Sequence, residues 1–178
     1  LRLDVTWLSC FAERILRPLE EIDPSIGSML GSFLSGTAEQ YAYVNGVLYA
    51  LPNTPSTQML FYRRDLFTSA IYRRMFQELH HQELNVPQTF EEFNRIAEFF
   101  TKSINPESPV DYGATLTFGS TGVAGSEYLS RLFGLQENLY QSDGRICLNS
   151  PTGVRALEQL IKMKRFSDPQ YCSWWTNT

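Results

Sequence analysis

Ser120 lies in Gly119-Ser120-Thr121-Gly122, between a strand-like run and a helix-like run. A nucleophilic serine on a sharp strand-to-helix turn takes such a place. The pattern here is not Gly-x-Ser-x-Gly, and the two histidines stand elsewhere as His80-His81. No general base is therefore placed beside Ser120 by spacing. His80, His81, Glu78 and Glu83 are metal-ligating types. Neighbouring residues on a helix point about 100° apart, so His80 and His81 cannot face one ion. A solvated helix end is expected there, and no metal. Glu91-Glu92 sits at a helix start, where the helix dipole favours negative charge. Asp111 and Glu127 are acids near the strand–turn–helix unit and candidates for paired-carboxylate chemistry on a glycosidic bond. The doublets Arg63-Arg64 and Arg73-Arg74 read as solvated cations pairing with Asp65 and Glu78. Binding chemistry is better supplied by Phe118 to Gly122. In open α/β sheets ligands sit outside the C-terminal ends of strands, and small or hydroxyl residues there allow close approach.

The elements that must carry these groups follow from periodicity. Leu3 to Leu8 alternates like a strand, and Phe11, Ile15, Leu19 and Ile22 have helical spacing interrupted by Pro18. Ile26, Met29, Leu30, Phe33 and Leu34 fit one face of a short helix. Asn45-Gly46 between Tyr41–Val44 and Val47–Leu51 predicts a two-residue hairpin, because both positions tolerate positive φ. Met59-Leu60-Phe61-Tyr62 is a continuous apolar run, predicting a strand buried on both faces. Asp65 to Leu84 is helical but broken. Thr89-Phe90-Glu91-Glu92 is a capping box, with Phe90, Phe93, Ala97 and Phe100 on one face of the helix behind it. Tyr112 to Phe118 reads as a strand leading to a helix that bears Ala124, Tyr128, Leu129, Leu132 and Phe133 and ends near Gly134. Asp143-Gly144 turns the chain between Leu139-Tyr140 and Ile146–Leu148. Ser150 caps a last helix with Pro151 at its first position, its buried face being Val154, Leu157, Leu160, Ile161 and Lys164. Alternating strands and helices predict an α/β layer architecture.

Composition narrows the classes. Hydrophobic residues are 43% and aromatics 13%, ample for a packed core, so the chain is not a disordered tail. The net charge of −4 argues against a nucleic-acid binder, which needs a basic face to displace counterions. No apolar run approaches the ~20 residues that span a bilayer. Cys10, Cys147 and Cys172 lack zinc-site spacing and read as buried or half-buried thiols. The start at Leu1 and the end at Trp174-Trp175-Thr176-Asn177-Thr178 lack targeting and capping logic, so the chain is expected to be a piece of a longer protein.

Four stretches, in order, resemble the extracellular solute-binding proteins of sugar-type ABC importers. Asn45-Gly46-Val47-Leu48-Tyr49-Ala50-Leu51-Pro52 matches that family's N-G-x-x-Y-x-x-P. Leu60-Phe61-Tyr62-Arg63-Arg64-Asp65-Leu66-Phe67 matches L-x-Y-x-x-D-L-F, and Pro87-Gln88-Thr89-Phe90-Glu91-Glu92 matches P-x-T-W-E-E. Asp143-Gly144-Arg145-Ile146 with Asn149-Ser150-Pro151 to Glu158 is the fourth. Three departures stand out. Phe90 replaces the usual Trp, Thr68 to Val86 is longer than the family's link, and a later F-x-x-G-x-x-A-M tract is not reached.

The resemblance implies an incomplete, periplasmic-binding-protein-like (type II) α/β lobe with a mixed sheet flanked by helices. It assigns residues 1–40 to the edge of a first lobe, 41–56 to a hinge or crossing segment, and 57–178 to part of a second lobe. It implies binding of a small solute, a carbohydrate above all, for delivery to an ABC permease, with no cofactor and no catalysis. The implied ligand contacts are Asn53, Ser56 and Thr57 on the crossing loop, and Phe118, Gly119, Ser120 and Thr121, with Phe118 stacking on a sugar face. Trp174 and Trp175 are left without a role. An extracellular or periplasmic location follows, with membrane attachment, as in a lipoprotein, through a segment outside this chain. Exposed lobe-interface residues are expected to pair the fragment into a homodimer. The alternatives are a glycan-processing enzyme using Asp111 and Glu127, and a sensor lobe that only binds a partner.

Overall fold

The structure, a computed structural model, describes residues 2–34, 36–54, 57–116, 118–119, 121–135 and 138–172. It is helix-rich α/β and divides into two compact units, Leu1–Phe61 and Tyr62–Thr178.

The first unit opens with a helix, α1 (Val5–Phe11), where a strand is predicted over 3–8. The Asp4 carboxylate accepts from the Thr6 backbone N–H at 3.0 Å and from its hydroxyl at 2.7 Å. That cap satisfies a helix-start donor and overrides an alternation only six residues long. Leu8 is buried, while Val5 and Trp7 face solvent. Pro18 separates this turn from α2 (Leu19–Ile22), and a 3-10 segment (Ile26–Ser32) and α3 (Thr37–Tyr41) follow. The predicted hairpin forms: β1 (Tyr43–Val44) pairs antiparallel with β2 (Val47–Leu48), Tyr43 opposite Leu48. Asn45 and Gly46 take φ of 52° and 78°, the left-handed pair that such a turn requires. The Asn45 amide donates to Glu13 at 2.9 Å, and Leu48 and Ala42 are fully buried beneath it.

Met59 to Tyr62 forms no strand. All four side chains are exposed, Phe61 by 87%. Among the described residues no neighbouring strand pairs with this run, and an unpaired run has no face to bury.

In the second unit the broken helix is α4 (Arg64–Thr68) and α5 (Ala70–His80), parted where Ser69 is extended. Arg63 grips Asp65 through two bonds of 2.8 and 2.7 Å, and Arg74 lies 3.6 Å from Glu78, so the doublets solvate and pair as their types suggest. The Thr89–Glu92 capping box starts α6 (Phe90–Phe99). A core of Phe76, Leu84, Ile96, Phe99 and Phe100 joins α5 to α6, with Phe76 edge-on to Phe99 at 5.1 Å. α7 (Thr121–Gly134) and α8 (Pro151–Met163) complete the unit, followed by α9 (Pro169–Cys172). Ser150 caps α8 with Pro151 at its first turn.

The buried face of α8 differs from the prediction. Gly153, Ala156, Gln159, Leu160 and Met163 point inward, while Val154, Leu157 and Ile161 are exposed. Leu160 lies on both the predicted and the observed face; what differs is that Gly153 and Ala156 take the inward places expected for Val154 and Leu157. A Cβ on Gly153 would overlap the Leu148 carbonyl and touch the Tyr128 hydroxyl, so glycine here lets the segment leading into α8 and the Tyr128 side chain come close. Tyr112 to Phe118 is likewise not a strand among its described residues. Its backbone partners are the Thr101 hydroxyl, which accepts from Gly113 at 3.1 Å, and the Phe166 carbonyl, which accepts from Ala114 at 3.1 Å. The expected mixed sheet is therefore represented, among the described residues, by the β1–β2 hairpin and an isolated bridge between Tyr140 and Ile146. That bridge closes over the Asp143-Gly144 turn, as the sequence predicts.

His80 and His81 part company. His80 stacks on Phe76 at 4.5 Å, and its Nε2 is buried without a partner; His81 closes α5 at a left-handed φ of 55°. Desolvation holds the His80 imidazole below its ordinary pKa, the Arg95 charge adds to this, and Glu98 opposes it. The unfolded chain then takes up the proton more readily than the folded one. Stability is full while His80 is neutral and is lost as pH falls through the unfolded value of about 6.5 and on towards the folded one. His80→Phe keeps the stacking and removes the titration. Between pH 7.5 and 5.5 its melting temperature is expected to fall less than that of the native chain, as circular dichroism melts would record.

Candidate functional site

The first unit contains a cavity of about 970 Å³, within the range of small-molecule sites. Three separated stretches build it. The cap and first turn of α1 contribute Arg2, Asp4 and Leu8, and the Pro18-broken stretch contributes Ile15, Leu19 and Ile22. The end of α3 and the exit from β2 contribute Tyr41, Tyr49, Asn53 and Thr54. The hairpin sets this last group. The N–H groups of Tyr49 and Ala50 both donate to the Ala42 carbonyl, at 3.0 and 3.2 Å, which holds the chain in line before buried Pro52 turns it.

Its walls are largely leucine and isoleucine, and its polar groups are two phenols, an amide, a hydroxyl, the Asp4 carboxylate and the guanidinium groups of Arg2 and Arg17. Arg2 reaches Thr54 at 3.4 Å, tying the α1 side to the segment that follows β2. Asp4 is already committed to capping α1, and the two Thr6 hydrogen bonds, the backbone one foremost, hold its carboxyl below the usual range. Such a surface suits a compact polyhydroxylated molecule. Apolar walls accept C–H faces, and the amide, phenols and hydroxyl pair with ligand hydroxyls that would otherwise be desolvated.

The sequence-predicted contacts fall in two places. Asn53 lines this cavity, and Thr57 is exposed away from its wall. Phe118 and Gly119 belong to the second unit. The Phe118 ring is half-buried against Ala97, Met163 and Phe166, and Gly119 is exposed where the chain enters α7 at Thr121. Ser56 and Ser120, like Trp174 and Trp175, lie outside the described residues. Sequence reasoning missed Arg2, Asp4, Tyr41 and Tyr49. Asp4-x-Thr6 carried a usable signal, since a helix-capping pair there brings residues 2–5 round to the hairpin.

Each of the sequence-predicted carboxylates has a charged or capping group near it. Glu92 closes the α6 cap, and Glu91 pairs with Arg155 at 2.9 Å. Asp111 is exposed, 4.0 Å from Lys102, and Glu127 accepts from Arg131 at 2.8 Å. Among the described residues no three His, Cys, Asp or Glu side chains gather in a metal-ligating group, and no helix is long and apolar enough to cross a membrane. Cys10 is exposed rather than buried, and Cys147 is half-buried.

Comparison with known proteins adds the following. Residues 6–178 match the family model for bacterial extracellular solute-binding proteins. No curated protein matches. A crystal structure of an ABC transporter solute-binding protein from Agrobacterium radiobacter K84, in complex with ribitol, is similar to this chain with a TM-score of 0.71 and 18% identity. The match covers 97% of this chain and 40% of that one, so the chain spans less than half the length of that protein.

Proposed function

The chain belongs to the bacterial extracellular solute-binding proteins, and from that premise we propose that it takes part in capturing a carbohydrate or polyol and passing it, chemically unchanged, to the permease of an ABC transporter. The observation that carries this is the first-unit cavity, with apolar walls and with Tyr41, Tyr49, Asn53 and Thr54 as its hydroxyl-pairing groups. The similar Agrobacterium protein was crystallised with a linear pentitol, a ligand of that chemistry. Of the other sequence-predicted contacts, Gly119 and Thr57 are exposed and serve as further solute contacts, with Phe118, Thr121, Ser56 and Ser120 added as the resemblance implies them. In this reading residues 1–40 are the edge of the first lobe, 41–56 the hinge or crossing segment and 57–178 part of the second lobe, as the resemblance implies. The protein works outside the cytoplasmic membrane, anchored by a segment outside this chain.

A thermal-shift screen of the full-length protein against pentitols, hexoses and disaccharides tests this. At least one solute is expected to raise the melting temperature in a saturable manner, since a ligand that binds only the folded state stabilises by mass action. Silence across the panel would overturn the carbohydrate reading. The isolated chain is expected to self-associate through Met59 to Tyr62, because contiguous exposed apolar side chains seek cover. Sedimentation should show a dimer, and Phe61→Lys should return it to a monomer; a wild-type monomer at 100 μM, roughly the top of a working concentration range, contradicts this.

A further inference from the structure

Arg131 is the largest fully buried side chain among the described residues. A buried cation is costly unless paired, so its partners show what it holds. Nη1 donates to both the carbonyl and the carboxylate of Glu127, each at 2.8 Å. The guanidinium carbon lies 4.5 Å from the centre of the Phe90 ring, while Nε has no hydrogen-bond partner. A helical Glu–Arg pair needs no burial to form. Burial here serves docking. Phe90 opens α6, and its ring also lies against Gly134, where a Cβ would meet it at 3.3 Å. The C-terminal end of α7 is thus keyed to the first turn of α6, which the Thr89–Glu92 box itself holds in place, while the length of α7 lies against α8, where the Tyr128 hydroxyl donates to the Gly153 carbonyl at 3.3 Å.

The other end of α7 follows the Phe118–Gly119 turn. Ten residues separate Thr121 from Arg131, about 15 Å of helix. A tilt of roughly 10° at Arg131 would move the first turn by about 2–3 Å, enough to undo hydrogen-bonded recognition. An aliphatic side chain could fill the same space but would not fix an angle. A planar guanidinium stacked on a ring and bonded along its edge does.

We propose that Arg131 is a positioning residue for solute recognition: its buried stack on Phe90 and its pair with Glu127 set the angle at which α7 presents its first turn. This rests on the reading that the turn entering α7 contacts the solute.

Hydrogen exchange on the 178-residue chain, without solute, tests it. Arg131→Met is expected to speed exchange at amides 122–127 by about tenfold or more, as local opening replaces a fixed end. Amides 154–163 of α8 should stay within about twofold. Arg131→Lys, which keeps charge but loses the planar stack, should fall between. Met163→Ala, a core change compared at equal distance below its melting temperature, should spread its increase into α8. The proposal is overturned if Arg131→Met leaves amides 122–127 unchanged, or speeds α7 and α8 alike. Should Arg131→Met not fold, Arg131→Lys is judged by the same two criteria. Failure here leaves the solute reading intact, whereas silence in the thermal-shift screen leaves this exchange result standing.

Discussion

Gly113→Ala is expected to destabilise the second unit by about 3 kcal/mol or more, an overpacking penalty that backbone contact makes hard to relieve. The added Cβ would overlap the carbonyl, carbonyl carbon and Cα of Ala97, all backbone atoms of α6, where no rotamer change helps. To make room, the 112–116 segment must lift. That strains the bonds from Gly113 to Thr101 and from Ala114 to Phe166. For a unit of this size such a loss corresponds to a fall of roughly 10 °C or more in melting temperature. Gly125→Ala is the matched control. It lies in α7 with nothing within 4 Å of the added carbon. Alanine is the better helix former by about 1 kcal/mol, so this variant should be neutral or more stable. Parallel calorimetric melts of the two variants check both signs at once. Similar melting temperatures would mean that Gly113 does not lie on α6 as described.

Tyr49→Ala is expected to weaken solute binding by roughly 10- to 100-fold, the cost of losing an aromatic wall and its phenol from a small site. The backbone should hold, because the Tyr49 N–H bond to Ala42 does not depend on the side chain. Tyr49→Phe separates the two contributions: a loss close to that of alanine assigns the work to the hydroxyl, and a small loss assigns it to the ring. Asn53→Ala removes the amide and should add to Tyr49→Phe if each pairs a different solute hydroxyl. Titration calorimetry with the best solute from the thermal-shift screen measures all three. Unchanged affinity in Tyr49→Ala and Asn53→Ala alike would remove the first-unit cavity from the site.

Features legible in the sequence were those that neighbouring residues decide. Asn45-Gly46 needs positive φ at two adjacent positions, and few other residues supply it. The Thr89–Glu92 box and the Ser150–Pro151 start are closed within four residues, and both form as predicted. Features decided at a distance were misread. Leu3 to Leu8 alternates in hydropathy, yet a two-residue cap at Asp4 outweighs a pattern that short. On α8 the inward face took Gly153 and Ala156 with Leu160 and Met163 in place of Val154, Leu157 and Ile161, and at Gly153 the Leu148 carbonyl and the Tyr128 hydroxyl leave no room for a Cβ. Met59 to Tyr62 looked like an interior strand, but strand character requires a partner that local sequence does not contain. The site shows the same division. Asn53 could be placed from its stretch alone, whereas Arg2, Tyr41 and Tyr49 become neighbours only once the α1 cap and the hairpin have folded.

Equilibrium dialysis of the full-length protein with radiolabelled ribitol, xylose and a labelled oligosaccharide bears most directly on solute capture without chemistry. Saturable uptake of at least one of these at one site per chain is expected, with the bound label recovered as the starting compound after denaturation. Shortened oligosaccharide in the dialysate, or no retention of any of the three, would contradict it.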